Sequence, residues 1–142
     1  MSYIPLVLYS VKDHRKEKQI TALCRKLGIR TKEVREKDAD EKVGVLAGIE
    51  PAMAQKRKAP LPLVAVELPE YMILSGLSEE QLDQFLKEYR QQGIEPVSLK
   101  AIVTFHNKDW TVRELIMELM KERMSMMMNA GQKEHGQKGD NS

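Results

Sequence analysis

Two short, uninterrupted apolar runs most constrain how this chain folds. They are residues 4–9 (IPLVLY) and residues 71–74 (YMIL). Each run is too short for a helix, and neither alternates apolar with polar residues as a strand with one solvated face does. The runs therefore predict two strands that are covered on both faces, at the centre of a sheet. Pro5 fits such a strand only near its beginning.

An amphipathic helix is expected after each apolar run. Asp13 is a candidate N-cap for the first helix, and Gly28 suits the left-handed position after its end. Ser78 and Gln81 form a capping box for the second helix, which ends before Gly93. The apolar stripes of the two helices are Ile20, Leu23, Cys24 and Leu27, and Leu82, Phe85, Leu86 and Tyr89.

A second strand and a second helix complete each half of the chain. The strands are expected at 29–34 and 97–104, and a short helix that ends near Gly48 follows the first of them. A second capping box, formed by Thr111 and Glu114, opens the last helix. The chain therefore has the order β-α-β-α twice.

These elements predict a single α/β domain, a three-layer α/β/α sandwich built from two β-α-β-α halves. The domain covers 1–128, its halves 1–50 and 70–128 are joined by a proline-rich linker at 51–69, and a disordered tail at 129–142 follows. A chain of 142 residues can bury a core without disulfides or metal. The alternative is a ferredoxin-like fold with helices on one face, which the continuous apolar strands disfavour.

An equal spacing relates the two halves. Ser10 and Ser75 are 65 residues apart, and so are Gly28 and Gly93. A divergent internal duplication explains this spacing, and the alternative is that any two β-α units of similar length align in this way. On this superposition the second half has about seven additional residues, which form the loop 104–111 between its last strand and its last helix.

Composition disfavours several classes of function. The net charge of +2, from 23 basic and 21 acidic residues, gives no strong field, and the basic residues 56–58 have no aromatic neighbours, so nucleic-acid binding is not expected. Cys24 has no disulfide partner and is expected to be an inert core thiol. The three histidines are far apart, so neither a metal nor a cofactor is expected. The first residues resemble neither a leader nor a membrane span, which favours the cytoplasm and no membrane partner.

The loop 104–111 is the candidate ligand site. Ligands of parallel α/β sheets tend to lie beyond the carboxyl ends of strands, where a helix N-terminus presents N–H donors to an anion. Hydroxyl and amide groups there can donate, lysines can add charge, and His106 can titrate near neutral pH. The alternative is that every one of these residues serves the turn and the helix cap. The candidates are Lys100, Thr104, His106, Asn107, Lys108, Trp110 and Thr111.

The same stretch carries a resemblance to a known family. Residues 70–119 resemble the bacterial family called domain of unknown function 3783, whose hallmark is similar to K-A-x-x-T-x-x-N-x-x-W-T. The resemblance implies a small bacterial cytosolic domain, and it implies no activity, substrate or cofactor. The matching positions are Lys100, Ala101, Thr104, Asn107, Trp110 and Thr111.

The last helix is rich in methionine. Six of the nine methionines lie between 117 and 128. Methionine repacks easily, and so many side chains do not all fit one small core, which favours an interface with a second copy of the chain or with another protein. The alternatives are core filling with a frayed helix end, and Cu(I) binding, which the irregular spacing disfavours. The candidate interface residues are Met117, Met120, Met124 and Met127.

These patterns favour a binding or regulatory module that self-associates. No reaction is assigned, because the chain has neither the G-x-x-x-x-G-K-[ST] phosphate loop nor the G-x-S-x-G serine turn. The alternative is a domain or enzyme that binds a small anion at the loop 104–111. In that case Lys100 or Lys108 neutralises the charge and His106 is the group suited to proton transfer.

Overall fold

The computed structural model describes residues 4–49 and 67–136, and the side chains up to Met128. The described residues form an α/β fold in which helices alternate with the strands of one mixed sheet. Most of the predicted linker lies outside the described residues. The elements are β1 Leu6–Ser10, α1 His14–Lys26, β2 Arg30–Glu33, a 3₁₀ turn Glu36–Asp38, α2 Val43–Leu46, β3 Tyr71–Ser75, α3 Glu79–Gln91, β4 Leu99–Ile102 and α4 Val112–Gly136.

The sheet has the strand order β2-β1-β3-β4. The two apolar strands are central, as the sequence predicts. Each pairs in parallel with the second strand of its own half, whereas β1 and β3 run antiparallel, with Leu8 opposite Ile73. The carboxyl ends of β1 and β2 therefore lie at one end of the sheet, and those of β3 and β4 lie at the other.

The described residues form two hydrophobic clusters, and successive side chains of β1 belong alternately to one and to the other. Val7 and Tyr9 belong to the first cluster, together with side chains of α1 and α3 such as Phe85. Leu8 belongs to the second cluster, together with side chains of α2 and α4 such as Val112. Because successive strand residues point to opposite faces, helices cover both faces of this strand. Each fully buried large side chain contributes roughly 1.5–3 kcal/mol to folding.

Local signals begin and end the helices as predicted. The Asp13 carboxylate accepts hydrogen bonds from the backbone N–H groups of Arg15 and Lys16, at 2.9 and 3.2 Å. Ser78 and Gln81 exchange the two bonds of a capping box, at 2.9 and 3.1 Å. Gly28 and Gly93 follow their helices with backbone φ angles of +74° and +70°. Residues other than glycine rarely adopt positive φ angles.

The two halves are built alike, element by element. β3 begins 65 residues after β1, at 71 and 6, and α3 begins 65 residues after α1, at 79 and 14, with equal lengths in each pair. From the second strand onward the offset is 69, because β2 begins at 30 and β4 at 99. The additional residues of the second half therefore lie between α3 and β4.

The expectation that the loop 104–111 is an insertion is therefore wrong. The first half has an equivalent loop at 35–42, which the short α2 follows. Each loop begins with the same hydrogen bond, from the Arg35 N–H to the Asp38 carboxylate at 3.2 Å and from the Thr104 N–H to the Asn107 side chain at 2.9 Å. β4 spans only 99–102 instead of the predicted 97–104.

α4 is longer than the sequence predicts. It continues to Gly136, so eight residues assigned to the disordered tail are helical, and residues 137–142 lie outside the described residues. Extending an existing helix avoids the cost of nucleating a new one, which offsets the low helix propensity of the asparagine and the two glycines in this segment.

A nearly buried ion pair joins the start of α1 to β3. Lys16 is 7% exposed, and its Nζ lies 2.7 Å from Glu70 Oε1 and 3.2 Å from the Pro96 carbonyl oxygen. The other carboxylate oxygen of Glu70 accepts hydrogen bonds from the N–H groups of Lys12 and Asp13, at 2.9 and 3.4 Å. The hydrogen bond from Lys16 lowers the pKa of Glu70.

Glu70→Gln is expected to lower the free energy of unfolding by about 1–3 kcal/mol near pH 7, because buried Lys16 loses its charged partner. Since the pKa of Glu70 is lowered in the folded state, this stabilisation is present above the ordinary carboxyl pKa. It is lost as the pH falls through the lowered pKa. Urea unfolding from about pH 7 to about pH 2 measures the convergence of the two proteins.

Glu88→Gln is the matched control. Glu88 pairs with Lys26, whose side chain is 63% exposed, so its removal is expected to change unfolding little. An equal effect of the two substitutions, or a gap between Glu70→Gln and the parent that persists in acid, contradicts the assignment.

Candidate functional site

Asn107 closes the loop 104–111 with three hydrogen bonds. Its Oδ1 accepts from the Thr104 N–H at 2.9 Å, and its own N–H donates to Thr104 Oγ1 at 3.1 Å. Its Nδ2 donates to the carbonyl oxygen of Ile102 at 3.1 Å, which covers a backbone acceptor beside the end of the edge strand β4. Both Thr104 and Asn107 are therefore engaged by the turn itself.

The start of α4 is equally engaged. Thr111 is fully buried and forms the predicted capping box with Glu114, at 2.9 and 3.1 Å. The N–H groups of Val112 and Arg113 donate to the carbonyl oxygens of Glu41 and Ala39, at 3.1 and 2.8 Å. The N–H donors on which an anion site at this helix N-terminus depends already have acceptors within the fold.

The same contact is reciprocal between the two halves. Lys42 and Thr111 form an isolated antiparallel bridge. The N–H groups of Val43 and Gly44 donate to the carbonyl oxygens of Trp110 and Lys108, at 2.8 and 2.7 Å. The first residues of α2 and α4 are thus joined to each other's preceding loops by backbone hydrogen bonds.

The remaining candidates of the loop do not converge on one point. Lys108 pairs with Asp109 at 3.3 Å and lies 5.1 Å from the centre of the exposed Phe105 ring. His106 packs edge-on against Trp110, with ring centres 5.6 Å apart. Lys100 is an exposed residue of β4.

One groove gathers some of the candidates. It lies between β4 and α4 and has a volume of about 260 Å³. His106, Asn107 and Trp110 line it together with Leu119 and other residues of α4. The other four candidates, Lys100, Thr104, Lys108 and Thr111, are not among its lining residues.

Five of the eight large hydrophobic side chains that are exposed in the described residues lie on α4. Arg123 donates to the Ser98 carbonyl oxygen at 3.0 Å, and every described side chain after it is exposed. Of the predicted interface residues, Met120 packs against the second cluster. The exposed methionines are Met117 at 47%, Met124 at 64%, Met126 at 70%, Met127 at 67% and Met128 at 65%.

Cys24 has the environment of a core thiol. It is fully buried, and burial raises the pKa of its thiol to about 12, which disfavours the nucleophilic thiolate. Within the described residues no group of three or more His, Cys, Asp or Glu side chains is arranged to hold a metal ion. None of the helices in that part of the chain is long and apolar enough to cross a membrane.

Sequence reasoning missed a polar cleft at the other end of the sheet. Ser10, Arg35, Tyr71 and Arg113 are among its lining residues. Ligands tend to lie beyond the carboxyl ends of neighbouring parallel strands. This rule applies to the pair β1 and β2 as well as to β3 and β4, and it could have predicted the cleft. Arg113 reaches this cleft from α4, a neighbour that spacing along the chain does not reveal.

Fold and site define a class, that of small α/β domains made of two similar β-α-β units and extended by one long exposed helix. Over residues 70–126 the chain resembles a family described as Domain of unknown function (DUF3783), whose model matches that range. The resemblance inferred from the sequence is confirmed. No curated protein and no solved structure gave a match.

The matched range covers one half of the fold. It contains β3, α3, β4 and the first part of α4, while β1, α1 and β2 lie outside it. Three of the six motif residues within it serve the local structure, since Thr104 and Asn107 close the loop and Thr111 caps α4. The motif therefore describes how β4 is joined to α4.

Asn107→Ala is expected to lower the free energy of unfolding by about 1–2 kcal/mol, because the Thr104 N–H and the Ile102 carbonyl lose their partner. Asn107→Asp is the matched control, since it keeps the acceptor for Thr104 and loses only the donor. It is also the residue type that the first half uses at the equivalent position, Asp38. Urea unfolding measures both variants, and an alanine variant as stable as the parent contradicts this role.

Proposed function

We propose that this protein is a small cytoplasmic binding module of bacterial type that self-associates through α4. The observation that carries the proposal is the row of exposed methionines on a helix that continues past its last described contact with the body, at Arg123. Several large apolar side chains exposed close together on one helix segment are typical of protein interfaces. The single cysteine, a buried free thiol with no disulfide, supports the location.

The length of the extension favours a partner. Residues 124–136 span about 20 Å of helix at 1.5 Å per residue. Most of the stability of a helix in a protein comes from packing of its apolar side chains, and the described methionines of this extension are exposed. Methionine suits such packing, because its unbranched side chain adapts to the opposing surface.

A second copy of the chain is the partner that the charges favour. Glu118 and Glu122 lie on the same helix as Lys121 and Arg123. In a two-fold antiparallel pairing, the acidic residues of one copy approach the basic residues of the other, so the surface is complementary to itself. This symmetry also buries the methionines of both copies together.

The alternative function, binding of a small anion at the loop 104–111, has less support. The N–H groups of Val112 and Arg113 already donate to Glu41 and Ala39. The Thr104 and Asn107 side chains bond each other's backbone. A ligand there would have to displace bonds that hold the start of α4.

The double substitution Met124→Glu with Met127→Glu is expected to convert a dimer into a monomer, because four buried carboxylates repel one another across the two-fold axis. Light scattering coupled to size-exclusion chromatography, over a range of protein concentrations, measures the molar mass. Ser125→Glu is the control, since it adds a carboxylate to the same exposed stretch without removing a methionine.

A parent that remains monomeric at about 0.1 mM, well above the dissociation constants of specific dimers, contradicts the proposal. Equal dissociation by Ser125→Glu also contradicts it, because added charge alone then explains the loss. A dimer that survives in the double variant places the interface on another face.

A further inference from the structure

The carboxyl ends of β1 and β2 open onto a cleft that the proposed function does not use. The two strands are parallel neighbours, so their ends lie side by side, which is the usual position of ligands in parallel sheets. The cleft has a volume of about 110 Å³, enough for a group the size of a carboxylate or phosphate. Ser10, Lys12, Arg35, Tyr71 and Arg113 line it together with apolar side chains.

Arg113 brings a largely buried guanidinium group to the cleft. Its side chain is 19% exposed, and its Nε lies 3.0 Å from Asp40 Oδ1. Its two terminal nitrogens have no hydrogen-bond acceptor among the described residues. Arg35 stands at the rim with its side chain 68% exposed, and its nearest carboxylate oxygen, on Glu33, is 3.9 Å away. Two guanidinium groups thus have donors that can bind an oxyanion.

Two hydroxyl groups complete the wall. Tyr71 is 2% exposed, and burial raises the pKa of its hydroxyl to about 12, so it is a neutral donor at physiological pH. Ser10 lies opposite Tyr71 in the register of β1 and β3 and also lines the cleft. Glu36 and Glu67 also line the cleft, and Lys12 pairs with Glu67, which limits the positive charge and favours a small ligand over a polyanion.

The opposite end of the sheet, where β3 and β4 terminate, serves as an internal comparison. By the offsets of 65 and 69, the positions equivalent to Tyr71, Arg35 and Arg113 are Leu6, Thr104 and Gly44. The equivalent backbone is therefore built there without this set of polar side chains. The two arginines and the tyrosine are not a requirement of the fold.

We infer that this cleft binds a small oxyanion, the carboxylate or phosphate group of a small molecule, between the guanidinium groups of Arg35 and Arg113. Their planar N–H donors match the spacing of two oxyanion oxygens. The Tyr71 or Ser10 hydroxyl donates to the same group from the floor of the cleft.

A nuclear magnetic resonance titration of the full chain tests the site. Inorganic phosphate is added in one arm and acetate in the other, with chloride adjusted to keep the ionic strength constant. The backbone amides of Lys12, Arg35 and Glu36 are expected to shift and to saturate with a dissociation constant of about 1 mM in the arm that matches the site. The arm that saturates identifies the ligand as a phosphate or a carboxylate.

Arg35→Gln and Tyr71→Phe are each expected to weaken this binding about tenfold, since each removes a donor and keeps most of the side-chain volume. Arg30→Gln is the matched control, because it removes the same charge from an exposed position of β2 outside the cleft. Thermal unfolding verifies that every variant is folded. Arg113 is kept, because it also pairs with Asp40.

Shifts that rise linearly in both arms, without saturation up to about 50 mM, overturn the inference. Equal weakening by Arg30→Gln also overturns it, because the net charge then controls the effect. Saturating shifts confined to residues 104–111 assign the anion to the loop and not to the cleft.

Discussion

The antiparallel pairing of β1 with β3 determines how the two halves of the fold are arranged. It places the two apolar strands at the centre of the sheet and turns the two halves in opposite directions. The loops that follow β2 and β4 therefore start at opposite ends of the sheet. They meet again at the bridge between Lys42 and Thr111, over the face that the second hydrophobic cluster covers. The two ends of the sheet therefore have different backbone and side-chain groups that a ligand could contact.

That meeting point explains why the motif of the loop 104–111 serves the fold. A helix N-terminus is open to an anion only while its first N–H groups lack acceptors. In α4 the Glu41 and Ala39 carbonyl oxygens occupy the first of them, and Thr111 occupies the next. At the carboxyl ends of β1 and β2, in contrast, polar side chains of different elements line an open cleft. Tyr71 and Arg113 are among them.

The sequence predicted the elements that local residues determine. The caps at Asp13, Ser78 and Thr111 each depend on side chains within three residues, and all three form as expected. The direction of β3 relative to β1 was not predictable, because it depends on pairing between residues about 65 positions apart. The cleft was missed for the same reason, since Arg113 and Arg35 come together only through the path of the chain across the sheet. The end of α4 was placed too early, because a polar composition fits both a tail and an exposed helix.

The departures from symmetry between the two halves point to where function lies. The parallel strand pairing and the lengths of the first strand and first helix repeat from one half to the other, so they report what the fold needs to be stable. Among the features that do not repeat, two bear on binding. α4 has 25 residues where its counterpart α2 has four, and its additional length carries the exposed methionines. The polar cleft has Tyr71 where the other half has Leu6. Neither difference follows from the repeated architecture, which is why the proposed interface is placed on the methionine extension and the proposed anion site in the cleft.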